Sequence, residues 1–216
     1  MRITDILLEL FYPSRCAFCR KLLSGGAGIC PDCEKKLPYT GTNNAKQHFE
    51  NVECCVSPLY YEGRVRDAIL RYKFSDAAVY SRIFGEIMAK CIDEMSISCD
   101  IITWIPLSRK RLRERGYDQA KLLAERVSEQ TGIPCECTLR KIKNTPAQSG
   151  ITDRAQRRKN VSGVYTAVNE EIFREKRVLL VDDIVTTSST LSEAASVLKK
   201  AGAAEVIALT VARRKD

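Results

Sequence analysis

The chain has 216 residues, ten cysteines and a formal charge of +8, from 35 Lys and Arg against 27 Asp and Glu. Its length fits one medium α/β domain with a small appendage. A hydrophobic content of 44% is ordinary for a globular protein, and no apolar run approaches the length of a membrane span.

Met1 to Arg15 carries acids and no small-residue cleavage site, which argues against a signal peptide and for a cytoplasmic location. In a reducing compartment, ten cysteines point to metal binding and not to a disulfide scaffold. Ile3, Ile6, Leu7, Leu10 and Phe11 predict a short amphipathic helix ending before Pro13. Cys16, Cys19, Cys30 and Cys33 follow as two Cys-x-x-Cys pairs, with ten residues between them. That is normal spacing for a tetrahedral zinc site. Four thiolates complete the ligand count and leave no open position, so the predicted role is structural. Gly25, Gly26 and Gly28 leave the folding of the intervening stretch to the metal. The polar stretch from Thr40 to Asn51, with the single histidine His48, reads as a surface loop or linker. The chain therefore divides into residues 1–50, a helix and zinc module with its linker, and residues 51–216, the α/β domain.

Cys54 to Tyr61 predicts an apolar strand, and Gly63 a turn. Val65, Ile69 and Tyr72 predict a short helix ending in Lys73 and Phe74. Val79, Ile83, Ile87 and Cys91, widened by Tyr80, Phe84 and Met88, predict a helix with a broad buried face. Ile101 to Ile105 predicts a buried strand running into a cationic loop, where Arg109 to Arg115 holds five basic residues and one acid. Guanidinium groups suit phosphate contacts, and a pyrophosphate-binding role is assigned to Arg109 and Lys110. Gly116 to Gln119 opens a helix carrying Ala120, Leu123, Ala124 and Val127. Thr138 to Lys141 reads as a strand edge, and Lys143 to Gly150 as an aperiodic loop. Thr152 to Asn160 reads as a basic helical segment with Arg154, Arg157, Arg158 and Lys159, and Tyr165 to Val168 as another strand.

Val178, Leu179, Leu180 and Val181 are apolar at every position, as in a strand covered on both faces. The run ends in Asp182 and Asp183, and five hydroxyl residues follow: Thr186, Thr187, Ser188, Ser189 and Thr190. Leu191, Ala194, Ala195 and Leu198 then predict a helix that stops at Gly202, and Glu205 to Val211 a final strand. A hydroxyl-rich helix start can hold a phosphate dianion. Carboxylates at the C-terminal end of a strand stand where open α/β sheets bind ligands. Together they suit a phosphorylated sugar.

This motif resembles the ribose-phosphate signature of type I phosphoribosyltransferases. The resemblance implies that Asp182 and Asp183 contact ribose hydroxyls of phosphoribosyl pyrophosphate, while Thr186, Thr187, Ser188, Ser189 and Thr190 cradle its 5-phosphate. That family usually has glycine where this chain has Ser188. The four-cysteine module, Tyr72-Lys73-Phe74, the Arg111-to-Gln119 stretch, the Gln148-to-Asn160 segment and Asp182-Asp183 together resemble the ComF family. The positions matched are Arg109, Arg111, Arg115, Gly116, Gln119, Gln148, Arg154, Asn160, Asp182, Asp183, Thr186, Thr187 and Thr190. The resemblance implies a type I phosphoribosyltransferase-like parallel sheet with a hood, drawn from Cys54 to Phe74 and from Thr138 to Thr166, plus a zinc-ribbon head. It further implies Mg²⁺ with phosphoribosyl pyrophosphate, catalysis through Arg109, Asp182 and Asp183, and a link to DNA uptake in competence. A non-catalytic adaptor for nucleotide or single-stranded DNA, alongside a helicase-like partner, is the alternative. A pure scaffold of the competence complex is a third.

Overall fold

The computed structural model describes residues 14–23, 28–74, 77–143 and 163–215. The expected helix over Ile3 to Phe11, Gly25 and Gly26, the loop from Asn144 to Gly150 with Gln148, and the basic segment with Arg154, Arg157, Arg158, Lys159 and Asn160 lie outside the described residues.

The main sheet runs in the order β1 (Lys46–Phe49), β2 (Val52–Val56), β8 (Glu205–Arg213), β7 (Arg177–Val185), β4 (Ile101–Trp104), and the two-residue β3 (Leu59–Tyr60) continues beside β8. All neighbouring pairs are parallel except β1 with β2. The sheet is therefore mixed and not purely parallel. It also begins inside the stretch expected as a linker. Lys46–Phe49 carries polar side chains because it is an edge strand with one wet side, so it lacks the apolar run that marks an interior strand. His48 is exposed there and donates from Nδ1 to the Glu53 carbonyl at 2.7 Å. Cys54 and Cys55 likewise belong to the main sheet and not to a hood. A separate antiparallel pair, β5 (Leu139–Lys141) with β6 (Tyr165–Ala167), supplies the second layer expected around Thr138 to Thr166.

The alternation of side chains along β7 divides the core. Leu179 and Val181 face helices α3 (Gly63–Phe74), α4 (Ala77–Glu94) and α6 (Gln119–Thr131), packing with Ile69, Tyr72, Phe84, Met88 and Leu123. Val178 and Leu180 face α8 (Ser189–Lys200) and the small sheet, packing with Leu191, Ala194, Leu198, Tyr165 and Phe173. The period of two in a strand dictates this split, and burial of both faces explains the unbroken apolar run. Between α4 and α6 the backbones come so close that a Cβ on Gly85 would stand 2.5 Å from Arg126 Cβ. The short helices α1 (Pro31–Lys36), α2 (Gly41–Asn44), α5 (Arg109–Arg115) and α7 (Glu170–Phe173) complete the elements of the described residues.

The cysteine head is part of this core. Cys16, Ala17, Phe18, Cys30 and Cys33 are buried in the same apolar cluster as α3 and α4. Phe18 meets the Phe84 ring edge-on at 6.1 Å, and Arg71 Nη2 donates to the carbonyls of Ala17 and Phe18, each at 3.0 Å.

Candidate functional site

The strands β4 and β7 run parallel, so the segments leaving their C-terminal ends meet at one edge of the sheet. A cleft of about 170 Å³ opens there, lined by β7, the hydroxyl loop, α5, the start of α6, the end of α3 and the small sheet. Asp182 and Asp183 both line it. They lie within β7, which continues to Val185, and not beyond its end. Asp182 follows Val178 and Leu180 on one face, and Asp183 follows Leu179 and Val181 on the other. The two carboxylates therefore reach the cleft from opposite sides of the strand.

Their surroundings differ accordingly. Asp183 Oδ2 stands 2.7 Å from Lys73 Nζ, in a pair whose side chains are only 13% and 21% exposed. Burial pulls the Lys73 ammonium toward lower pKa, but the charge and hydrogen bond of Asp183 outweigh it and leave the pKa raised. Asp182 Oδ1 accepts from the Asp183 backbone N–H at 2.8 Å. Burial, reinforced by the Asp183 charge, still pushes the Asp182 carboxyl up to about 8. On its side stand Tyr165 and Lys141, the latter with its ammonium over the Tyr165 ring at 5.5 Å. Burial, and then the neighbouring Arg111 charge, lower the Lys141 pKa.

The cationic segment does not form a loop. It is a seven-residue helix, capped by the Ser108 side chain at its start and by Gly116 in the left-handed conformation, φ +79°, at its end. Residues four apart share a helix face, and Arg111 and Arg115 are the pair that lines the cleft. Arg109 and Lys110, expected to contact the diphosphate, are exposed outside it, and Lys110 lies 3.9 Å from Glu114. A chain leaving a strand as a loop would use its first cations; wound as a helix, it presents those one turn further on. Arg115 donates from Nη1 to Gln119 Oε1 at 2.8 Å and lies 5.4 Å over the Phe74 ring. Asp118 caps α6, accepting from Lys121 N at 3.3 Å and from Leu107 N at 2.9 Å.

The hydroxyl loop also divides. Thr186, Thr187 and Thr190 line the cleft, whereas Ser188 and Ser189 line a separate recess with Glu50 and Asn51. Ser188 has φ −64°, so serine stands there without the strain that a left-handed position would impose. Two buried polar atoms of the cleft lack a partner among the described residues, Thr187 Oγ1 and Gln119 Nε2. An unpaired buried polar group calls for an explanation, and a bound ligand is one. In the sequence Lys73 is marked only as part of the Tyr72-Lys73-Phe74 resemblance and Lys141 not at all; the tertiary fold carries both to the cleft.

Elsewhere, the sulfur atoms of Cys16, Cys19, Cys30 and Cys33 all lie within 4.8 Å of one another, which makes a cluster able to hold a metal ion. Backbone N–H groups point at it, from Cys30 to Cys16 Sγ and from Cys33 to Cys30 Sγ, each at 3.4 Å. Arg64 of α3 approaches Cys33 Sγ to 3.2 Å and Asp32 Oδ2 to 3.1 Å. No helix among the described residues is long and apolar enough to cross a membrane.

Residues 115–216 match the phosphoribosyl transferase domain family, and residues 7–44 match the double zinc ribbon domain family. The chain is 30% identical over 228 residues to competence protein F of Haemophilus influenzae, covering 94% of this chain and 98% of that one. It is 25% identical over 202 residues to competence protein ComFC of Streptococcus pneumoniae, covering 86% and 87%. Among solved structures, glutamine phosphoribosylpyrophosphate amidotransferase from B. subtilis aligns at 26% identity with a TM-score of 0.40, over 60% of this chain. The chain spans only 25% of that enzyme's length.

Proposed function

This chain belongs to the competence protein F (ComF) family, and on that premise we propose that its cleft binds phosphoribosyl pyrophosphate with Mg²⁺ and transfers the ribosyl phosphate to an acceptor nucleophile. The observation that carries the reading is the convergence of two carboxylates from β7, three threonines at the start of α8 and four cations on one cleft. Asp182 and Asp183 accept from the vicinal ribose hydroxyls. Thr186, Thr187 and Thr190 hold the 5-phosphate at the start of α8. Arg111, Arg115, Lys73 and Lys141 face the diphosphate and stabilise its charge as it leaves. The bond from the anomeric carbon to the diphosphate oxygen breaks, and a bond to the acceptor, typically a nitrogen, forms. The chain's contribution is positioning and electrostatics. The donor set fits Mg²⁺, offering hard carboxylate oxygens and no cysteine, histidine or methionine among the described residues that line the cleft. When bound, that ion neutralises diphosphate charge. The four-cysteine head holds one structural zinc in the same reading.

Calorimetry with phosphoribosyl pyrophosphate and Mg²⁺, and pyrophosphate release across a panel of bases and amines, test the proposal. Wild type binds, while Asp182→Asn and Asp183→Asn bind more weakly. Unchanged affinity in both variants, or no binding by wild type, overturns it.

A second reading rests on the charge of +8 and on relatives named competence proteins and, in Salmonella typhimurium, a DNA utilization protein. Here the chain is a cytoplasmic adaptor for single-stranded DNA and a helicase-like partner in DNA uptake. Binding of an oligonucleotide at low salt that weakens steeply as salt rises supports it; absence of binding at low salt removes it.

A further inference from the structure

We propose that Gln119 binds the diphosphate part of the ligand, its side-chain amide donating to a phosphoryl oxygen at the start of α6. The inference rests on the ribosyl-diphosphate reading of the cleft and assigns one group within it. Arginine carries donors only, so the 2.8 Å bond from Arg115 fixes the Gln119 amide with its oxygen toward the guanidinium. The NH₂ group then points away from Arg115. Gln119 lines the cleft while only 2% exposed to solvent, and its Nε2, itself buried, has no partner among the described residues. The main chain is held as firmly, since the Gln119 carbonyl accepts from Tyr72 Oη at 2.6 Å. Gln119 therefore offers a donor whose direction is set before any ligand arrives.

The neighbourhood defines the acceptor. Arg111 and Arg115 stand on the same wall, and Gln119 opens the 13-residue helix α6, whose N-terminal end carries positive partial charge. An anionic oxygen satisfies the amide, both guanidinium groups and the helix together. A neutral carbonyl would satisfy the amide alone. The sugar and its 5-phosphate belong to Asp182, Asp183 and the threonine loop, which leaves the diphosphate for this wall.

The test separates donation to a ligand from mere support of Arg115. Gln119→Glu keeps an oxygen for Arg115 but replaces the NH₂ by a second, anionic oxygen. Gln119→Met removes both functions at similar volume. Titration with inorganic pyrophosphate should show a loss of about 10- to 100-fold in Gln119→Met, as for one hydrogen bond to a charged group, and a loss at least as large in Gln119→Glu. Ribose 5-phosphate affinity should be unchanged in both. If the variants do not fold, nuclear magnetic resonance of wild type serves: the Gln119 side-chain amide signals should shift with pyrophosphate and stay put with ribose 5-phosphate. Wild-type pyrophosphate binding in Gln119→Glu, equal losses for ribose 5-phosphate, unmoved amide signals, or no pyrophosphate binding by wild type overturns the inference. Failure of the transferase reading shows separately, as phosphoribosyl pyrophosphate binding that ignores Asp182→Asn while the pyrophosphate result stands.

Discussion

Lys73 Nζ and Asp183 Oδ2, 2.7 Å apart, join the last turn of α3 to the C-terminal third of β7. Replacing Lys73 by Met strands a carboxylate that is 13% exposed. We expect a loss of about 1–3 kcal/mol in stability, because an unpaired buried charge costs more than the pair contributes. Adding Asp183→Asn should recover most of that loss. Urea denaturation of the single and double variants measures both numbers.

Asp182 should make stability depend on pH. Its carboxyl is raised from an ordinary 3.8 to about 8 in the folded chain. Between those values the unfolded chain has released the proton and the folded chain still holds it. The unfolded state thus binds fewer protons, and stability falls as pH rises. The contribution is whole below pH 3.8 and gone above pH 8. Asp182→Asn should flatten that decline and be more stable than wild type by about 0.5–2 kcal/mol near neutral pH, the exchange of stability for function found at many sites. Denaturation curves across this pH range check it.

Thr187→Val should separate binding from folding. Thr187 Oγ1 has no partner among the described residues, so removing it breaks no bond among them and the melting temperature should hold or rise. Affinity for ribose 5-phosphate should fall by about 1.5–3 kcal/mol, one hydrogen bond to a charged group. A fall in melting temperature with unchanged affinity would contradict the placement of this hydroxyl against the phosphate.

Arg64 should tune the head. Its guanidinium lies 3.2 Å from Cys33 Sγ, where it would help offset the charge of four thiolates holding a zinc ion. Arg64→Ala should weaken zinc affinity by about 10- to 100-fold, as the loss of other outer-shell partners does. Competition with a chromophoric chelator reads the change, and elemental analysis of wild type should return one zinc per chain.

Gly85→Ala should test the contact of α4 with α6. The added methyl would meet Arg126 Cβ at 2.5 Å, so one helix must move, at about 1–3 kcal/mol. A thermal melt identical to wild type would mean that the helices are further apart.

The interior of this fold was legible wherever burial left a pattern. Val178 to Val181 announced a strand covered on both faces, and Leu191, Ala194, Ala195 and Leu198 announced the buried stripe of α8. The edge was not legible, since Lys46–Phe49 has a polar composition that a linker shares. The site was half legible. Asp182 and Asp183 stood out because two acids interrupt an apolar run. That Arg111 and Arg115 line the cleft, and Arg109 and Lys110 do not, could have been read by treating the segment as a helix, with Ser108 and Gly116 as its caps. Lys73 is marked only by the Tyr72-Lys73-Phe74 resemblance, and Lys141 by nothing. One ends an amphipathic helix and the other a three-residue strand, and only the packing of α3 and the small sheet against β7 brings them to the carboxylates.

The edge-on contact of Phe18 with Phe84 has a consequence for how the protein fares in a metal-poor cell. If the head holds a structural ion and unravelled on losing it, it would uncover the Phe84 ring. Chains with apolar surface bared associate with one another and attract proteases. On the zinc reading, starvation for that metal would then lower the number of intact copies through degradation.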